Sequence, residues 1–470
     1  MLEKDVREKL IAVVGKGNYF DSEEDLVVYS YDATPNYQAM PDAVMRPKNT
    51  KEIQEIVKLC NEYKIPIVPR GSGTNLCAGT CPLEGGIVLL FTKLDQILEI
   101  DEENLTATVQ PGVITQDLIE AVEEKGLFYP PDPGSMKIST IGGNINENSG
   151  GLRGLKYGVT RDYVMGLEVV LPNGEVIRTG GKLAKDVAGY DFTRLMVGSE
   201  GTLGIVTEAT LKLIPTPETK KTMLALFDSL EASGKAVSTI IANKVIPATL
   251  EFLDQGTLEA VEDFVKIGLP TDVGAVLLIE QDGPSEVVDR DIAKIVKICE
   301  QSNALTVQVA ETEEEGLALT TARRYALSAL ARKKPTTILE DATVPRSKIA
   351  EMVRAIDEIA VKYNLDICTF GHAGDGNLHP TCMTDARDED EMKRVEDAFA
   401  DIFAKAIDLG GTITGEHGVG VMKSPYLAWK LGEEGVNTMR TLKLAFDPNN
   451  IMNPGKLFAK ETKKRVVVQK

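Results

Sequence analysis

The feature that most constrains the fold is a change of texture at Pro215-Thr216-Pro217. From Pro41 to that point, short apolar runs alternate with glycine-rich turns; beyond it, strand-like runs alternate with amphipathic helical stretches. Two textures within 470 residues indicate two domains, or one large domain carrying an insertion, because a single hydrophobic core stops growing beyond roughly 250–300 residues.

In the first half, residues 1 to about 30 read as a helical lead-in. A strand–helix–strand unit follows: Ala43–Met45, then Lys51–Tyr63 with Ile53, Ile56, Val57 and Cys60 on one face, then Ile65–Pro69. Further strands are predicted at Gly86–Phe91, Thr106–Val109, Gly166–Leu171 and Gly204–Leu213. Beyond residue 217, helices near 228–243, 256–266, 284–301 and 346–363 alternate with strands at 222–227, 274–280, 305–310 and 366–370, an α+β pattern with helices covering a sheet. The charges of 390–408 gather on one helical face and predict a solvated helix. The stretch from Gly415 reads as loop, and residues 462–470 form a basic tail.

The net charge of −19 opposes binding to nucleic acid or to anionic lipid. An anionic substrate would need local cations or a metal to reverse the field within its site. The six cysteines are scattered and no cluster-binding run occurs, which suits a reducing compartment and puts any iron–sulfur centre on a partner. The opening MLEKDVREKL gives no export signal, and no apolar run approaches the roughly 20 residues of a spanning helix, so a cytoplasmic location is expected.

All three histidines, His372, His379 and His417, fall between residues 372 and 417. His372 and His379 flank Ala-Gly-Asp-Gly-Asn-Leu after a strand-like run, which predicts a hairpin with its loop at Gly374–Asn377 and the two imidazoles opposite each other on one face. Two imidazoles so placed can share a metal ion at about 2.1 Å each. In GEHGVG at 415–420, Glu416 and His417 cannot point the same way along extended chain. Glu416 is therefore expected on the metal and His417 in the reaction space as a base. A lone histidine would read as an ordinary hydrogen-bonded core residue; three among glycine-rich turns point to metal binding or catalysis. Zinc, manganese and iron all suit such a donor set.

The loop PRGSGTNLCAG at 69–79 follows a strand and concentrates backbone N–H groups as a diphosphate site requires, although it is neither the dinucleotide G-x-G-x-x-G fingerprint nor a Walker loop. With TIGGNIN, SEGTLGI, GHAGDGNLH, GEHGVG and NPGK in this order, the chain from about residue 20 to 458 resembles the vanillyl-alcohol-oxidase-like flavoproteins, in the branch of glycolate oxidase D-subunits, D-lactate dehydrogenases and D-2-hydroxyglutarate dehydrogenases.

The resemblance implies a two-part FAD-binding domain of the PCMH type, residues 1–217 and 415–470, with an inserted α+β cap, 218–414, built on an antiparallel sheet. It implies FAD contacts from Pro69, Arg70, Gly71, Ser72, Gly73, Thr74 and Asn75; from Pro133, Gly134, Ser135, Gly142, Gly143, Asn144, Asn148, Ser149, Gly150, Tyr157 and Gly158; from Glu200, Gly201, Ile205 and Val206; and from Asn453. With no histidine before residue 372, the flavin is expected to be non-covalent.

The resemblance also makes Arg323 the clamp for a substrate carboxylate, with Arg324 as a register alternative. Leu339 stands where relatives that oxidise 2-hydroxyglutarate carry a lysine, which favours D-lactate or another short monocarboxylic hydroxy acid. The expected reaction is removal of the hydroxyl proton by His417 as a hydride leaves the α-carbon for FAD. Electrons would pass on to an electron-transfer flavoprotein or an iron–sulfur subunit. Two readings of other classes remain open from the residues alone: a metallohydrolase using the His/His/Glu site, and a non-catalytic electron-relay flavoprotein subunit.

Overall fold

In the N-terminal part, apolar strands Ala43–Met45, Ile87–Leu90 and Ile67–Arg70 pair in parallel, and Tyr19–Phe20 adds an antiparallel edge. The connecting helix Thr50–Tyr63 starts where the Asn49 side chain accepts the Glu52 N–H and stops at left-handed Lys64. It buries Ile53, Ile56, Val57 and Cys60, the face that its sequence period picks out. Each fully buried aliphatic side chain contributes about 1.5–3 kcal/mol. This computed structural model describes residues 2–458, so the basic tail at 462–470 lies outside the described residues.

The chain divides into two units: Met1–Ser149 with Val159–Thr216 and the segment from Glu416 onward, and Gly150–Gly158 with Pro217–Gly415. The first also holds a five-stranded antiparallel sheet ordered Ile97–Asp101, Thr106–Val109, Ile205–Lys212, Val164–Val170, Val176–Gly180.

The second unit is built on an eight-stranded antiparallel sheet. Its order is Ala304–Val309, Thr219–Phe227, Ala275–Gly283, Thr249–Asp254, Asp366–His372, Asn377–Thr384, Thr336–Leu339, and Ala342–Thr343 also pairs with Asn377–Thr384. Helices Gln255–Val265, Glu313–Arg324 and Ala326–Leu330 cover the face that carries Leu224, Leu226, Leu253 and Phe370. Helices Leu230–Ala242, Ser285–Gln301 and Ile349–Tyr363 also pack on the sheet.

Three expectations need correction. Strand Thr249–Asp254, absent from the sequence reading, lies inside the sheet, and its burial on both faces erases the alternation that would reveal it. The stretch after Gly415 is not all loop: Leu427–Phe446 is helical, interrupted at Gly432 (φ 73°, ψ 162°), and its glycines mask the period. Helix Glu389–Asp408 is more than a solvated rod, since it buries Val395, Phe399, Ile402 and Phe403. Gly150, Tyr157 and Gly158 belong to the second unit. There Lys156 pairs with Asp282, and the Tyr157 hydroxyl donates to Asp282 Oδ2 at 2.8 Å.

Candidate active site

In the second unit the hairpin forms as expected, but its register differs. His372 faces Asn377 and His379 faces Phe370, so the two histidines are diagonal rather than opposite. An offset of two residues keeps both on one face, and their rings lie 5.0 Å apart, nearly perpendicular at 88°. Both are buried.

The neighbouring strand supplies a residue that sequence reasoning missed. Phe252 faces Gly371 and Leu253 faces Phe370; one further rung sets Glu251 opposite His372. The Glu251 side chain is wholly buried, and its Oε1 lies 2.8 Å from His372 Nδ1. Burial alone would raise this carboxyl, but His372 and Arg323 outweigh it and hold it below its ordinary range. A carboxylate at this distance favours the tautomer that carries its proton on Nδ1, the form in which Nε2 can bind a metal.

Arg323, at the end of helix Glu313–Arg324, is 5% exposed. Its guanidinium approaches Glu251 Oε2 to 2.5 Å and lies 4.7 Å from the centre of the Phe370 ring. The expected carboxylate clamp therefore already has an internal counter-ion, while its Nε is buried without a hydrogen-bond partner. Arg324 is half-buried beside it. Leu339 is partly buried against the core cluster that includes Phe370 and Met383. Toward the end of the unit, Gly415 donates its N–H to Asp341 Oδ2 at 2.7 Å. A Cβ at Gly415 would lie 2.7 Å from the Asn377 carboxamide, so only glycine fits where the chain passes the rung of His372. Glu416 is the next residue.

The first unit contains a cleft with about 490 Å³ of free space, part of it open to solvent. Pro69, Arg70, Gly71, Gly142, Gly143, Glu200, Gly201, Ile205, Val206 and Asn453 line it, all of them expected cofactor residues. Gly79, Thr140, Asn146 and Glu147, which lie in the glycine-rich segments read from the sequence, also line it, and so do Thr80, Phe91 and Pro111, which were not anticipated. Asn453 donates to the carbonyls of Gly79 and Glu200 at 3.0 and 2.7 Å, and its Oδ1 is buried without a partner in the cleft. A ring N–H such as an isoalloxazine carries would satisfy that acceptor, so the residues present fit a flavin.

Other expected residues make hydrogen bonds within the same unit. Asn75 Oδ1 accepts the N–H groups of Cys77 and Gly79, and Arg70 donates to the Tyr31 carbonyl at 2.7 Å. Asn144 donates to Thr115, and Asn148 Oδ1 accepts the Arg161 N–H. The Pro133 carbonyl accepts the Met136 N–H and closes the turn around Gly134, and the Ser135 carbonyl accepts from Ile138 and Ser139. Ser72, Gly73 and Thr74 continue the loop after Gly71, and the Ser149 carbonyl accepts from Thr160.

The loop bearing His417 is held from beneath. Glu200 accepts the N–H groups of Val419 and Gly420 at 2.7 Å each. Beside it Glu147, half-buried on the cleft wall, has its carboxyl pushed well above the ordinary range, by burial first and then by the Glu200 charge. Burial also raises Glu200, against the two loop amides and the cations Lys456 and Lys423.

Family models match both halves: an FAD binding domain over residues 41–180 and the C-terminal domain of FAD linked oxidases over 216–457. The chain is 72% identical over 470 residues to the glycolate oxidase subunit GlcD of Bacillus subtilis, covering 100% of both chains. It is 37% identical to the D-lactate dehydrogenase of Anaerostipes hadrus, covering 97% of this chain and 96% of that protein. The solved structure of p-cresol methylhydroxylase aligns with a TM-score of 0.81 at 20% identity, covering 97% of this chain and 96% of that one, a likeness of fold. Among the described residues no helix is long and apolar enough to cross a membrane. The chain belongs to the FAD-linked oxidases, in the branch of the glycolate oxidase D-subunits and D-lactate dehydrogenases.

Proposed function

We propose that this enzyme oxidises a short 2-hydroxy monocarboxylate to the 2-oxo acid, with glycolate ahead of D-lactate as substrate. The observation that carries the reading is the buried group of Arg323, Glu251, His372 and His379 on one sheet face: a cation suited to a carboxylate beside two imidazoles suited to a metal. Leu339 supplies no second cation, which agrees with a monocarboxylate but does not separate glycolate from lactate. The preference for glycolate over the D-lactate expected at first rests on 72% identity to a glycolate oxidase subunit, against 37% to a D-lactate dehydrogenase.

In this reading Arg323 binds the substrate carboxylate through its planar fork. His372, His379 and Glu416 would hold one divalent ion, zinc, manganese or iron, which supplies Lewis acidity toward the hydroxyl oxygen. His417 takes the hydroxyl proton as general base. FAD, held non-covalently in the cleft of the first unit, supplies the acceptor for the hydride from the α-carbon. One proton and one hydride leave, and the C–O bond becomes a carbonyl. Asn453 and Gly201 shape the flavin site. Because relatives of this chain are named as subunits, we read a separate electron acceptor, an iron–sulfur subunit or an electron-transfer flavoprotein, as its partner.

Flavin and metal content of two variants test the assignment. His417→Ala should keep yellow FAD and the metal yet lose most turnover; His372→Ala should lose the metal as well. Rates like the wild type in either variant would overturn it.

A further inference from the structure

We propose that Glu251 is a positioning residue that sets the His372 imidazole and the Arg323 guanidinium against each other, joining the metal-binding and carboxylate-binding halves of the site. This rests on the roles given above to His372 and Arg323.

A buried ion pair by itself says little, because apolar replacements of similar volume are often as stable. The division of the carboxylate says more. Oε1 is 2.8 Å from His372 Nδ1 and Oε2 is 2.5 Å from the Arg323 guanidinium, so each oxygen serves one functional side chain. Glu251 stands on Thr249–Asp254, between Ala275–Gly283 and Asp366–His372, where paired strands on both sides fix its backbone. Two consequences follow for the reaction. Accepting a hydrogen bond from Nδ1 leaves Nε2 for the metal and fixes the ring plane. Holding the guanidinium on one side, with the Phe370 ring at 4.7 Å on another, leaves Arg323 pre-oriented for a second carboxylate. The negative charge also cancels that of Arg323, which would otherwise repel a cation from the two imidazoles.

Glutamine tests this because one amide oxygen can serve only one of the two partners; its NH2 group must face the other. We would strip metal from the FAD-loaded protein and measure zinc affinity by competition with a chromophoric chelator, then record KM and kcat for glycolate. Glu251→Gln is expected to weaken zinc about 10–100-fold, the usual effect of losing a partner behind a metal ligand, and to raise KM, with the flavin spectrum unchanged. The double variant Glu251→Met with Arg323→Met removes the buried pair together and guards against misfolding of the single variant; it too should bind zinc more weakly. Zinc affinity within twofold of the wild type in either variant would overturn the role of Glu251 while leaving the metal site standing. A wild-type protein that takes up no zinc, manganese or iron would overturn the metal site itself, and the proposal with it.

Discussion

Glu200 accepts the backbone N–H of Gly420 at 2.7 Å, and its other oxygen accepts that of Val419 at the same distance. The same residue, at a left-handed φ of 53°, lines the cleft of the first unit and offers its carbonyl to Asn453. One residue thus ties this cleft to the loop that carries His417. Hydrogen bonds to a buried charge contribute about 1.5–3 kcal/mol each. Glu200→Gln sets an NH2 group against one of the two amides, and we expect turnover to fall at least about tenfold, in line with the loss of one such bond. Steady-state kinetics beside a circular dichroism spectrum separates this from unfolding; unchanged kinetics would show that the loop needs no anchor.

Glu147 gives a pH dependence of defined sign. Burial and the neighbouring Glu200 raise its folded pKa above the value in the unfolded chain. The folded state therefore binds the proton more tightly, and the stability from this group is complete at low pH and falls as pH rises from the ordinary carboxyl range to the raised value. Glu147→Gln keeps a neutral side chain of the same shape. Its melting temperature should vary less with pH across that window than the wild type's. Parallel curves for the two proteins would contradict the assignment.

Gly201 has φ +68°, and a Cβ there would lie 2.5 Å from Cγ of Pro69, across the cleft wall. Gly201→Ala must move the 69–71 loop or the 200–206 segment. The expected outcome is a lower FAD-to-protein ratio on purification, read from the absorbance at the flavin band against 280 nm, with apoprotein accumulating. A full flavin complement would show that the wall yields without consequence.

These sites were legible in the sequence to different degrees. The strand–helix–strand unit was readable because helix Thr50–Tyr63 is amphipathic and capped by Asn49, local signals that survive without tertiary context. Many cleft residues were readable because PRGSGT, TIGGNIN and SEGTLGI carry family identity within a few residues. Glu251 was not. In TLEFLD, with both neighbours buried, no alternation marks the strand, and the carboxylate acquires meaning only once the sheet order sets it beside His372. The histidine register failed for a related reason: spacing alone leaves the hairpin free to slip by two residues on the same face. The bonds of Lys156 and Tyr157 to Asp282 were not readable, because Asp282 lies more than a hundred positions away.

The central claim is tested most directly by anaerobic titration of the FAD-loaded protein with glycolate, D-lactate, L-lactate and D-2-hydroxyglutarate, followed at the flavin absorption band. Glycolate is expected to bleach the band, D-lactate to do so more weakly, and D-2-hydroxyglutarate to leave it yellow. A band unchanged by both glycolate and D-lactate, or bleached best by D-2-hydroxyglutarate, would contradict it.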